Sequence, residues 1–281
     1  MQLQEKAMLT FLTISQWTAR KHDKRATQDV AQKYHVRGEA GRYNKVLIAK
    51  EELKEIQKIA NTARTFHYTN TLPWSDDGNR ILTADNYFAY TTELQKLKAQ
   101  FAAHVSTFCQ EYETLVVNQM SRLNDLYNPD DYPDSSMIQS KFSLDMVISP
   151  LPDANDFRVR MQQEEITRIQ QEISQREQEL LARAMKECWS RIYEVVKHMA
   201  EKLNDKDATF RDSLVGNIIS LVQLLPKLNI THDPELESMR QQIETKLTQA
   251  SPDDLRNSRH IRKNVAEDAS AILDAMAGYL A

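Results

Sequence analysis

The sequence predicts a mainly α protein: a long antiparallel helical hairpin, a C-terminal helical bundle and a small accessory β-sheet. Three observations carry this prediction. Only 5 Gly and 8 Pro occur in 281 residues, and long helices exclude both residue types while sheets and tight turns consume them. Residues 84–127 and 161–204 carry apolar side chains at three-and-four spacing, each over a helix of roughly 40 residues, or ~60 Å at 1.5 Å per residue. Residues 8–17 and 141–149 alternate at period two, the pattern of a half-buried strand.

In chain order, MLTFLTISQW (8–17) sets Phe11, Thr13 and Ser15 against Leu12, Ile14 and Gln16, which favours a strand. Residues 24–35 predict a short helix, and RGEAGRYN (37–44) a loop. From Ala49 to about Thr65 the pattern is helical, with Leu53, Ile56, Ile59 and Ala60 on one face. Residues 66–82 then break the helix at Pro73, Ser75, Asp76, Asp77 and Gly78, with flanks suited to short strands. Thr83 is the expected N-cap of the first long helix. Its stripe runs Tyr87, Tyr90, Leu94, Leu97, Phe101, Val105, Phe108, Tyr112 and Leu115, lapses at Gln119, and stops in the acidic turn NPDDYP (128–133).

KFSLDMVIS (141–149) is the clearest strand. A turn at 150–156 and a returning hairpin arm at Phe157–Arg160 precede the second long helix. That helix carries Ile166, Ile169, Ile173, Leu180, Ala184, Cys188, Ile192, Val195, Met199 and Leu203 as its stripe. Two such helices joined by a compact connector are expected to pack antiparallel, each covering the other's stripe, with Leu180, Cys188, Ile192, Phe101 and Phe108 in the core. Downstream, Asp207 is the expected cap of a helix over 208–227 that Pro226 ends. Pro234 begins the next, to about Ala250. Ser251-Pro252 launches the last, to about Tyr279. The expected organisation is a mixed strand/helix region with a basic patch (1–83), the hairpin (84–204) and the bundle (205–281).

Hydrophobic residues at 41% and charged residues at 27% exclude global disorder. The opening MQLQEKAMLTFLTISQW lacks the long apolar run and cleavage site of a secretory signal, and no segment approaches the roughly 18 apolar residues of a membrane span. The expected setting is the cytoplasm, away from membranes, with Cys109 and Cys188 as buried thiols. Catalytic and cofactor motifs are missing. The glycines form no phosphate-cradling loop, no HExxH or CxxC occurs, and no His lies one helical turn from another His or Cys. Glu164, Glu165, Glu172, Glu177 and Glu179 have the spacing of a solvated helix face. His232-Asp233 before Pro234 suits a hydrogen-bonded cap, Trp189 the core, and Trp74 a loop cover over the core. A non-enzymatic protein with no cofactor and no metal is the expectation.

One patch has a functional character. Net charge is −4, yet residues 18–50 contain nine Lys/Arg against Asp23, Asp29 and Glu39, a local +6 that leaves −10 for the remainder. RKHDKR (20–25) and RGEAGRYNK (37–45) mix these cations with His22, Tyr34, His35 and Tyr43. Arg20, Lys21, Lys24, Arg25, Arg37, Arg42 and Lys45 are therefore the candidate contacts to a polyanion or a protein partner. The competing expectation is that they pair within the protein, with Asp130, Asp131 and Asp134.

KFSLDMVISPLPDANDFRVRM, ECWSRIYEVVKHMAEKLND and ATFRDSLVGNIISLVQLLPKLNITHDPEL, together with the N-terminal LTISQWTARK, resemble an uncharacterised helical family of phages and bacteria. The resemblance covers most of the chain, and FRDSLV…LLPKLN is its most specific run. Residues 36–50 and 66–83 agree least with it. The family has no established activity to carry onto any residue. Its members are often encoded near MoxR-type AAA ATPases and cobaltochelatase-like von Willebrand proteins, which implies an adaptor or substrate-recruiting role beside an ATPase. The resemblance thus implies a protein partner, with nucleic acid binding through residues 20–45 as the alternative.

Overall fold

The computed structural model of the chain describes residues 3–37, 41–153, 162–205 and 207–279. Of these described residues 69% are helical, with a short opening turn α1 (Leu3–Lys6), β1 (Ala7–Ser15), β2 (Arg20–His22), α2 (Lys24–Lys33), β3 (Asn44–Val46), α3 (Lys54–Asn70), β4 (Leu72–Pro73) and β5 (Arg80–Thr83). There follow α4 (Tyr87–Leu123), α5 (Ser135–Ile138), β6 (Ser143–Ser149), α6 (Gln163–Asn204), α7 (Ser213–Leu228), α8 (Pro234–Leu247), α9 (Pro252–Asn257) and α10 (Arg259–Met276). The mainly α class with a small sheet is the one expected. Both long segments form single unbroken helices, and the strands expected at 8–17, 66–82 and 141–149 make one sheet of order β4-β5-β1-β6. The arm at Phe157–Arg160 and the second half of the turn before it lie outside the described residues.

The chain divides into two compact units, residues 1–11, 68–90 and 147–281, and residues 12–67 and 91–146. In the first, β1 pairs antiparallel with β5, Ala7 opposite Thr83 and Leu9 opposite Ile81, and β4 sets Leu72 opposite Ile81. Of the expected α6 stripe, Leu180, Ala184, Cys188, Ile192, Met199 and Leu203 are buried, with Val196 in place of Val195, while Ile166, Ile169 and Ile173 are only half-buried. The core that holds it is built with α7, α8 and α10, and α6 packs most extensively against α10. Within this unit, then, the cover of the stripe is the C-terminal bundle, where the spacing predicted α4. Small buried residues on α6 (Ala184, Cys188, Ala200) and on α10 (Ala266, Ala269) let helices approach closely.

Several boundaries differ from expectation, each for a local reason. Helix α3 runs to Asn70, past Thr65, because two guanidinium groups satisfy the carbonyls at its end. Arg191 donates to Tyr68 O (2.9 Å), Thr69 O (2.7 Å) and Thr71 O (2.9 Å), and Arg80 to Thr71 O (3.0 Å). Thr83 is the N-cap residue of the 3-10 turn at 84–86 that leads into α4, as expected, but its side chain makes no cap bond, since its hydroxyl donates to Lys227 O at 2.6 Å. Helix α7 starts at Ser213 after Asp212, so Asp207 is not its cap, and Pro226 lies inside its last turn. The last helix is split at Ser258, whose hydroxyl accepts from Ile261 N and restarts the helix as α10. The Ser251 cap forms as a full capping box with Asp254, and Asp233 caps α8. Trp74 and Trp189 are buried.

The second unit is organised on α4 residues Leu94, Leu97, Phe101, Val105, Phe108 and Tyr112, all buried, with Ile56, Ile59, Ala60 and Ala63 of α3. Trp17 lies edge-on to Tyr112 at 5.8 Å, and Phe108 edge-on to Phe142 at 5.7 Å, geometries that favour aromatic pairs. Gln119 interrupts the stripe yet is buried. Its amide donates to Leu115 O at 3.0 Å and its oxygen accepts from Arg122.

Candidate functional site

The basic segment folds as a small β2–α2–β3 module of the second unit. Strands β2 and β3 pair antiparallel, with Arg20 opposite Val46, Lys21 opposite Lys45 and His22 opposite Asn44. Directly opposed residues share a face, so Lys21 and Lys45 lie on one face of the ribbon and Arg20 and His22 on the other. The helix between the strands is fixed at both ends. Asp23 is its N-cap and accepts from Ala26 N at 2.9 Å. At the C-terminus Val36 N donates to Ala31 O (2.9 Å) and His35 N to Gln32 O (3.2 Å), a Schellman closure with His35 in the left-handed region at φ 51°. Thr27 joins helix to ribbon, since its hydroxyl donates to Asp23 O and accepts from Tyr43 N.

Lys45 anchors the module. It is only 4% exposed, and its ammonium donates to Leu126 O at 2.7 Å and forms ion pairs with Asp131 Oδ2 at 2.5 Å and Asp23 Oδ2 at 3.1 Å. Burial alone would push the Lys45 pKa down, but the interaction of its ammonium with the Asp131 and Asp23 carboxylates outweighs it and holds the group above its ordinary value. The Asp23 carboxyl is held below its usual range, first by the Ala26 backbone N–H and further by Lys45. Two contacts to backbone carbonyls add to the clamp: Arg122 donates to Val46 O, and Tyr132 Oη to Leu47 O at 3.0 Å.

Lys45 is therefore a correction to the candidate contacts. It is an internal cation that holds the ribbon against the turn of residues 124–132, and it confirms the expected pairing with Asp131 for this one residue. Arg20, Lys21, Lys24, Arg25, Arg37 and Arg42 are exposed. Asp134 is used elsewhere, as the cap of α5 through Ser136 N at 2.8 Å. Tyr34 is 68% exposed and Tyr43 40%, with Val30 and Val36 also exposed. The module thus presents cations and two aromatic rings beside a hydrogen-bonded helix and ribbon. Sequence reasoning missed Asp23, Arg122 and Tyr132 as its mounting. The signal available for Asp23 was its place immediately before a helix. Nothing local marked the other two.

In the first unit, a cavity of about 350 Å³ is lined by Leu9, Trp74, Ile173 and Leu180 with Asp77 and Glu177. A groove of about 550 Å³ along α6 and α7 includes Glu187, Arg191, Glu194 and Leu224. Neither lining contains His or Cys. Burial pushes the Cys188 thiol up to about 12 and raises that of Cys109, so both are poor nucleophiles. Among the described residues no three His, Cys, Asp or Glu side chains are placed to hold a metal ion, and no helix is long and apolar enough to cross a membrane. Protein-family models, curated proteins and solved structures yield no match to the chain.

Proposed function

We propose that this is a non-enzymatic interaction protein, an adaptor whose contact surface is the β2–α2–β3 module and whose immediate partner is strongly anionic. The observation that carries the reading is the division of labour among the basic residues. Lys45 is spent inside on a buried tripod, while Arg20, Lys21, Lys24 and Arg25 remain on the outside of the ribbon and helix so anchored. A cluster of like charges held out on a fixed mount raises a local positive potential, which serves recognition and association rate more than stability. The family resemblance supplies the larger setting, an AAA ATPase that the adaptor serves.

The test is affinity capture of the full chain from its host, with and without nuclease, beside the variant Arg20→Glu/Lys24→Glu/Arg25→Glu. Recovery of an AAA ATPase from the nuclease-treated sample supports the adaptor reading. Absence of any ATPase, or binding of every partner unchanged by the charge reversal, would contradict it.

A further inference from the structure

The basic module offers more than charge. Tyr34 and Tyr43 are exposed on it, and both rings are carried on immobilised backbone. Tyr34 is the C-cap residue of α2, with its N–H on Val30 O at 3.1 Å inside the Schellman closure. Tyr43 is tied on both sides: its carbonyl accepts from Asp23 N at 2.9 Å and its N–H donates to Thr27 Oγ1 at 3.0 Å. Two exposed aromatic rings are thus carried on the same module as the exposed cations.

We propose that the module binds single-stranded nucleic acid, with phosphates on Arg20, Lys24 and Arg25 and bases stacked on Tyr34 and Tyr43. This rests on the adaptor reading only in taking the same surface, and it names the anionic partner. Stacking favours the single strand, because the flat faces of its bases are accessible whereas those of a duplex are already stacked on each other. An acidic protein segment would satisfy the cations but gives the ring faces no comparable flat partner. The ring of Tyr34 has Lys33 Nζ 5.9 Å from its centroid, so a base stacked there also lies beside a cation, the combination that single-strand grooves use.

The experiment uses purified full chain and four fluorescent probes: a dT20 oligonucleotide, the same length as duplex, heparin and polyglutamate. The expected order is dT20 tightest, with a log-log salt slope of about −2 for three phosphate contacts at about −0.7 each. Tyr34→Ala and Tyr43→Ala should each weaken dT20 binding about 5- to 100-fold, leave heparin binding within about twofold, and be rescued by Tyr→Phe, which restores the ring. Parallel loss of heparin and dT20 in the Tyr→Ala variants would overturn the proposal. So would polyglutamate or duplex binding as tightly as dT20, or no dT20 binding at low salt. Because this assay contains no ATPase, its failure leaves the adaptor reading standing, and failure to capture an ATPase leaves this one standing.

Discussion

Replacing Lys45 by Met keeps the stem and removes the charge, which isolates what the tripod contributes. Asp23 and Asp131 are only 13% and 11% exposed and both contact the Lys45 ammonium. Without it, two carboxylates face each other in a poorly hydrated site, and Leu126 O loses its donor. Removing one partner of a buried ion pair costs about 3–5 kcal/mol, because the remaining charge is left uncompensated. The residual exposure of the two acids places the expectation near the lower end, about 3 kcal/mol. Adding Asp131→Asn to Lys45→Met removes one of the two stranded charges and should restore about 1–2 kcal/mol, a coupling of the size seen for residues in direct contact. Hydrogen exchange read on peptides from residues 19–37 and 41–47, alongside urea unfolding, would locate the loss. If Lys45→Met left both the midpoint and the protection of these peptides unchanged, the tripod would not be the anchor.

Further outcomes follow from the same geometry. His35→Gly should stabilise the protein by about 1 kcal/mol in urea unfolding, since glycine relieves the left-handed backbone at the helix end. Arg191→Ala strips the end of α3 of its donors to Tyr68, Thr69 and Thr71 and should cost about 2–3 kcal/mol, with exchange quickening at residues 66–72. Ile192 is fully buried, and Ile192→Ala should cost about 2–5 kcal/mol by the same unfolding measurement. Protection of the module should also depend on pH in a definite sense. The lowered Asp23 pKa contributes stability that is present above the unfolded carboxylate value of 3.8 and is lost as pH falls through the folded one. The raised Lys45 pKa contributes stability present below 10.5 and lost as pH rises through its folded value. Exchange rates corrected for intrinsic pH dependence should show a plateau between those limits and loosening on both sides.

The parts of the fold that were legible in the sequence are those decided by neighbours along the chain. Apolar residues recurring every three or four positions announce α4 and α6, because burial on one face is the only arrangement that hides them all. Alternation announces β1 and β6 in the same way. The failures are non-local or underdetermined. Nothing near Thr65 reveals that α3 continues to Asn70, since the donors that satisfy its last carbonyls arrive from Arg80 and Arg191. Asp207 and Asp212 are equally good caps in isolation; α7 starts after Asp212, whose carboxylate makes no cap bond and pairs instead with Arg256. The last helix, expected as one piece to about Tyr279, is divided at Ser258, whose hydroxyl caps α10 through Ile261 N.

The site shows the same division. The positive cluster was visible in the charge count, and so were Tyr34 and Tyr43, because composition is local. Which cation would be buried was not, because it depends on Asp131 and Leu126 meeting Lys45 across more than eighty residues of chain. Charged residues are almost never buried unless paired, and a sequence that offers several candidate cations to several candidate acids does not say which pair will form.

The most direct test of the module as the contact surface is a hydrogen-exchange footprint of the full chain with and without heparin at low salt. Protection confined to peptides from residues 19–37 and 41–46, and abolished by Arg20→Glu/Lys24→Glu/Arg25→Glu, is the expected result. Protection centred elsewhere, or an unchanged footprint in the charge-reversed variant, would show that these cations are a solvated face with no partner.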